Sequence, residues 1–446
     1  MLISLPIAFV IGLIYFRRPR LVLLWFLCFL LLQELFVALC GGRSTLLGGA
    51  FQALDETGLL ALAVASAIAA RVSGQLRIAR WWYWALAFAG ASLTSVALVG
   101  SGWERAAIGL LLLSKGLLFG FAVDQTHWRS NDGELWLRTL IWVAMAFALF
   151  AIPDVIAPAA FRSFIGFSTL VEYRGGLPSV VSLAGHPGGY AWLLTSGLMV
   201  AMAALLTGHR GRWLIVAIVL MAGMLLSFRR KPFVGIVAAL LFALPLRSGR
   251  LRRRQVGVAL VVLLAIVLPA GVVLWPVLRE GFQGYFGGSA VTVQARSALY
   301  AGSLLLSRQY FPFGVGLGKY GSYGSIVDYS DVYYRFGFDA IYGMSPAYPN
   351  FIQDTFWPQV LGETGVLGLL CYGGLIASIL WACGSRVRRS RGRARWLPLA
   401  AYLILVETVL ESFAAPSFTT ASQACLSLGL ARLAVAGTAT STSEET

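Results

Sequence analysis

Thirteen apolar runs follow one another along the chain, near residues 2–16, 21–40, 50–70, 81–99, 106–123, 139–158, 187–206, 213–228, 232–247, 256–277, 358–382, 397–413 and 420–436. About 20 apolar residues suffice to cross a hydrocarbon core, so runs of this kind mark membrane spans. Lipid offers backbone N–H and C=O groups no partner, which makes these runs helices rather than sheet. One interval breaks the rhythm, residues 278–357. The pattern predicts an all-α polytopic membrane protein with about 12–13 transmembrane helices and one large, partly helical loop. Its parts are N-terminal membrane helices over 1–277, the loop over 278–357, C-terminal membrane helices over 358–436 and a short polar tail over 437–446. Within the loop, Ser289–Gln309 has helical periodicity and carries Arg296. The first run, Leu2–Phe16, carries Arg17, Arg18 and Arg20 after its apolar stretch. It is read as an uncleaved first helix, not a signal peptide.

Composition narrows the class and charge orients it. Of 446 residues, 58% are hydrophobic and 12% charged, about half the charged share of soluble domains. The net charge of +16 would suit nucleic acid, but its distribution points elsewhere. Alternate connections are basic: Arg17/18/20, Arg71/77/80, Arg129/138, Arg210/212, Arg247/250/252/253/254, and six arginines between 386 and 395. Cytoplasmic loops of membrane proteins carry this excess, so the N-terminus and the large loop are expected outside and the tail inside. No nucleic-acid partner is expected. Five cysteines form no CxxC pair and there are three histidines, so neither disulfides nor a metal site is predicted.

The same orientation leaves Arg229, Arg230 and Lys231 on the outer face, in Leu-Ser-Phe-Arg-Arg-Lys-Pro. Cations stranded there call for an anionic partner, with lipid-headgroup anchoring as the plainer alternative. The loop holds ten of the sixteen tyrosines. Their apolar faces and polar tips suit sugar rings, or an aromatic belt at the membrane surface. Asp354 stands at the mouth of the next span and Glu363 about two turns into it, as site groups or as partners of Arg296 or of the 229–231 trio. Asp55 and Glu56 are further possible partners for the stranded arginines, while Lys115 and Glu34 are expected to pair or snorkel.

Chemistry on an outer leaflet has no nucleotide sugar, so a donor must arrive activated, as on a polyprenyl diphosphate. Its departure needs positive charge where negative charge develops, and the arginine fork grips phosphate oxygens in pairs. Arg229, Arg230 and Arg296 supply that charge. An acceptor hydroxyl then needs a base, for which Asp354 or His186 would serve. No Asp-x-Asp motif is present, and no metal or other cofactor is expected.

Four stretches, taken in order, resemble the O-antigen ligase and O-antigen polymerase (Wzy-type) superfamily over about residues 170–380. They are Gly185-His-Pro-Gly-Gly-Tyr opening a span, Leu226-Ser-Phe-Arg-Arg at an outer helix end, Arg296 followed by Phe311-Pro-Phe-Gly-Val-Gly-Leu-Gly-Lys-Tyr, and Asp354 through Gly368 with Glu363-Thr-Gly365. The resemblance implies that Arg230 (with Arg229 as alternative) and Arg296 contact the diphosphate, beside Lys231. It puts Asp354 where ligases of the family carry a loop histidine, and Thr355 where they carry asparagine. Asp354, Arg296 and Arg230 are then the candidate catalytic residues, and His186, Tyr320, Trp357 and Glu363 the candidate glycan contacts. The implied activity is a polymerase of the bacterial inner membrane that joins polyprenyl-diphosphate-linked oligosaccharides, alongside a flippase and a chain-length regulator. The alternatives are a ligase onto lipid A-core, and a transporter or flippase without bond chemistry. Transporters usually repeat their halves, and the chain has no internal repeat.

Overall fold

A computed structural model describes residues 3–100, 102–174, 176–209, 211–229, 231–243, 246 and 295–436. The expected span near 256–277 and the tail over 437–446 lie outside them. The first half runs as α1 (Ser4–Arg17), α2 (Pro19–Leu39), α3 (Leu46–Val72), α4 (Trp81–Val99), α5 (Trp103–Gln125) and α6 (Asp132–Ile156). A short α7 (Pro158–Ile165) and a two-residue hairpin, β1 (Tyr173–Arg174) with β2 (Leu177–Pro178), precede α8 (Pro187–Leu206), α9 (Arg212–Leu225) and α10 (Lys231–Ala243). The loop supplies α11 (Ala295–Gln309), α12 (Tyr323–Val327) and α13 (Asp331–Arg335). The last helices are α14 (Trp357–Arg389), α15 (Trp396–Glu411) and α16 (Ala421–Ala436).

Among the described residues, seven helices are long and apolar enough to cross a membrane: α2 to α6, α8 and α14. Their outward faces carry large apolar side chains such as Trp25, Trp142 and Trp381, each more than 70% exposed. Water would not tolerate such faces, whereas lipid does. The molecule is a multi-pass membrane protein. At the centre, α8 is buried on every side, against α6, α9 and α15.

Among the described residues, the basic connections gather at one end of the bundle. There Arg20 Nε donates to the His127 carbonyl at 2.5 Å, Arg77 meets His127 Nδ1 at 3.1 Å, and His209 packs against Trp213 and Trp396. Two buried ion clusters neutralise charge inside the bundle. Lys115 on α5 reaches Asp55 (2.7 Å) and Glu56 (3.1 Å) on α3, and Arg432 on α16 reaches Asp124 (2.8 Å), which also accepts from Trp81. Glu34 pairs with Arg43 at 3.1 Å. Asp55 and Glu56 thus serve Lys115 rather than the stranded arginines.

At the opposite end, residues from 295 onward fold into a lobe with its own core, where Leu299, Leu306, Val315, Tyr320, Tyr333 and Phe338 meet. The lobe is dovetailed into α14. That helix breaks at Gly365 (φ 67°, ψ −168°), which frees backbone groups on either side. The Gly362 and Glu363 carbonyls accept from Val315 N (2.9 Å) and Gly316 N (3.0 Å), and Leu367 N donates to the Pro312 carbonyl (3.2 Å). Below the break, Glu363 is fully buried and accepts from Tyr320 N (3.0 Å) and Ser322 Oγ (2.6 Å). The Pro-Phe-Gly-Val-Gly stretch and the Glu-Thr-Gly run are therefore two halves of one joint.

Candidate active site

The lobe end of the bundle brings distant segments together. Its frame is a buried ion pair: Arg162 Nε donates to Asp154 Oδ1 (2.9 Å), and the other arginine nitrogens bind the carbonyls of Leu170 (3.0 Å) and Ser179 (2.8 Å). The second Asp154 oxygen accepts from Val181 N (2.7 Å) and Ser182 N (2.9 Å). One aspartate and one arginine thus fix residues 170–182, and Val180 N reaches the Leu226 carbonyl (3.1 Å) to tie that segment to the end of α9.

From this frame the charged groups project. Phe228 turns the chain between α9 and α10 with a positive φ of 52°, a conformation that costs a bulky residue about 1–3 kcal/mol. The bend presents Arg229, whose guanidinium binds Glu172 at 3.1 Å. Glu172 also accepts from Arg174 Nε at 3.0 Å. Partial burial works to raise the Glu172 carboxyl, but the bond from Arg174 and the charge of Arg229 outweigh it and hold it below the usual carboxylate range. Lys231, which opens α10, donates to the Ala414 carbonyl and lies near Glu411 at the end of α15. From the lobe, Arg296 on α11 pairs with Asp354 at 2.5 Å. Among the described residues, the Nε–H groups of both Arg229 and Arg296 are buried and have no hydrogen-bond partner. A buried charged donor without an acceptor is costly, and a multivalent anion would satisfy both.

His186 stands at the start of α8. The residue is exposed yet its ring is crowded by neighbouring protein, and it lies within electrostatic reach of Arg229, Glu172, Lys231 and Asp354. That crowding, with the charge of Arg229, lowers its pKa, so the ring is neutral near pH 7. Its Nδ1 accepts from Gly188 N at 3.0 Å, capping the helix. The proton of the neutral ring therefore sits on Nε2, which can donate but not accept. His186 is suited to orienting an oxygen. It is not suited to removing a proton.

Of the residues singled out in the sequence, His186, Arg229, Lys231, Arg296 and Asp354 come together. Arg230 lies outside the described residues. Three others sit elsewhere. Tyr320 is wholly buried, with its hydroxyl on the Leu299 carbonyl (2.7 Å), and Glu363 is locked in the joint. Neither surface is open to a glycan, which corrects that expectation. Among the described residues, Glu363 also meets neither Arg296, Arg229 nor Lys231. Trp357 packs against Phe356 and Phe413, its indole N–H on Ser412 Oγ at 2.8 Å. Sequence reasoning missed Glu172 and Arg174. Their only mark was a charged pair two residues apart in the segment before Gly185.

No protein-family model matches this chain, and no curated protein matches it.

Proposed function

We propose that the protein is a polysaccharide polymerase that works at the periplasmic face of a bacterial inner membrane, with 12–13 spans and the basic connections in the cytoplasm. The observation that carries this reading is the convergence of Arg229 and Arg296, each with a buried Nε–H that has no partner among the described residues, beside Lys231 and Asp354. A polyprenyl-diphosphate glycan placed there would have its leaving diphosphate between the two guanidinium groups, where negative charge grows as the bond to the sugar breaks. The acceptor hydroxyl attacks the anomeric carbon from the opposite face. The new C–O bond forms as the bond to the diphosphate oxygen breaks, the lipid diphosphate departs with the bonding pair, and the hydroxyl proton passes to the Asp354 carboxylate. Arg296 orients that carboxylate, and His186 donates from Nε2 to a substrate oxygen.

The test is a gel of lipid-linked and released glycans from a deletion strain complemented with wild type or Arg296→Ala. Single repeat units in place of polymer, unrescued by the variant, support the polymerase. Long lipid-linked chains missing from lipid A-core would make it a ligase, and an unchanged profile would remove glycan joining altogether. Orientation has its own test in a cysteine-free background. Leu170→Cys, 85% exposed at the lobe end, should react with an impermeant thiol reagent in intact cells. Reaction only after lysis would invert the topology.

A further inference from the structure

Several of the lobe's described tyrosines are spent on structure. Tyr320 and Tyr333 fill its core, Tyr300 donates to the Phe413 carbonyl (2.7 Å), and Tyr329 donates to the Met344 carbonyl (2.8 Å). Tyr342 is different. It is 77% exposed, and its ring lies beside that of Tyr348, with centroids 5.5 Å apart and planes tilted by 36°. The two rings form a bent platform at an open cavity of about 530 Å³, whose other walls include Asp339, Ile341, Gly343 and Ser345. That volume is within the ordinary range for small-ligand sites.

The cavity is built onto the candidate active site. Tyr342 meets the ring of Phe351 edge-on at 6.0 Å, and Phe351 N donates to the Gly343 carbonyl at 2.8 Å. The Phe351 carbonyl in turn accepts from Asp354 N at 3.3 Å. A single short turn therefore joins the aromatic platform to the carboxylate that pairs with Arg296. A ligand whose reacting end lies at Asp354 and which extends away from the membrane would run along this wall.

We propose that the Tyr342–Tyr348 cavity is a glycan subsite, which holds a neutral sugar of the chain some residues away from the reacting carbon. A pyranose ring lays its C–H face on the aromatic platform, while the exposed carboxylate of Asp339 and the Ser345 hydroxyl receive its hydroxyl groups. Asp339 repels a sugar acid at the same place, so the subsite selects uncharged residues. The identity of the ligand rests on the polymerase reading; the geometry of the subsite does not.

The experiment uses the full chain in lipid nanodiscs, with oligosaccharide released by mild acid from the host's own lipid-linked glycans. Saturation-transfer NMR reports binding. Tyr342→Ala with Tyr348→Ala should weaken it about 30-fold, since the two lost ring contacts are each worth about 1 kcal/mol. The corresponding Phe variants should retain most of it. Absence of binding to wild type, equal binding to the Ala variant, or equal signal from empty nanodiscs would each overturn the subsite. Binding lost in the Ala variant, in a strain whose glycan profile does not depend on the protein, would support the subsite and sink the polymerase. Tryptic patterns matching wild type confirm that the variants are folded.

Discussion

Gly365→Ala should loosen the lobe from the bundle. Gly365 occupies φ 67° and ψ −168°, a region essentially reserved for glycine, and forcing another residue there costs about 1–3 kcal/mol. The added Cβ would also stand 2.6 Å from Gly314 N and 2.7 Å from the Phe313 carbonyl carbon, so the strap over 311–316 must retreat. Retreat weakens the three backbone hydrogen bonds of the joint, each worth about 0.5–1.5 kcal/mol net. Together the loss is about 3–6 kcal/mol of local stability, which raises the open population by a factor of about 100 or more. Limited trypsin digestion of the purified protein measures this, because Arg308 and Lys319 bracket the strap and cleavage of an opened segment follows its population. Cleavage at Lys319 should accelerate about 100-fold while the basic end, at Arg71 and Arg80, is cut as before. Gly373→Ala in the same helix is the control, since its Cβ meets nothing within 4 Å. A Gly365→Ala protein cut at Lys319 within about threefold of wild type would refute the dovetail.

Arg296→Ala should cost stability little, about 1 kcal/mol or less for a pair as exposed as Arg296–Asp354, yet lower turnover by about 100-fold or more. Melting temperature and polymer yield report the two, and equal turnover would remove Arg296 from the site. Lys115→Met should destabilise by about 3–5 kcal/mol because it strands Asp55, and adding Asp55→Leu should restore part of that loss. Additive losses in a denaturation series would show that the pair is not coupled. His186 has a lowered pKa in the folded protein, so the unfolded chain takes up its proton first. Its contribution is whole above the ordinary pKa of about 6.5 and is lost as the pH falls from there through the lowered value of the folded protein. Wild type should therefore lose more melting temperature than His186→Asn, which keeps a cap acceptor, between about pH 7.5 and pH 5.5. Parallel losses would count against a crowded, neutral His186.

The membrane helices were legible because each run declares itself locally, through length and apolar content. The clustering of cations was legible for a related reason: charge alternation placed Arg229 and Lys231 at the end of the bundle where the loop emerges. What was hidden is pairing over distance. Glu172 binds Arg229 across 57 residues of chain, and no periodicity reports a contact of that kind. Glu363 misled for the opposite reason. A carboxylate at membrane depth marks a site when it lacks partners, but here Tyr320 N and Ser322 Oγ supply them from a loop more than 40 residues earlier. The glycines around it looked like part of a chemical motif, and they act as the clearance that lets the strap enter a broken helix.

The Lys115–Asp55–Glu56 cluster constrains how the protein is made. The two carboxylates arrive on α3, and the lysine that answers Asp55 follows 60 residues later on α5. At ribosomal rates of about 5–20 residues per second, α3 spends about 3–12 s without its counter-charge. Released alone into lipid in that interval, it would carry uncompensated acids into hydrocarbon. An insertion route that passes α3 into the bilayer together with α5 would spare that cost, and a pause in translation between the two helices would prolong it.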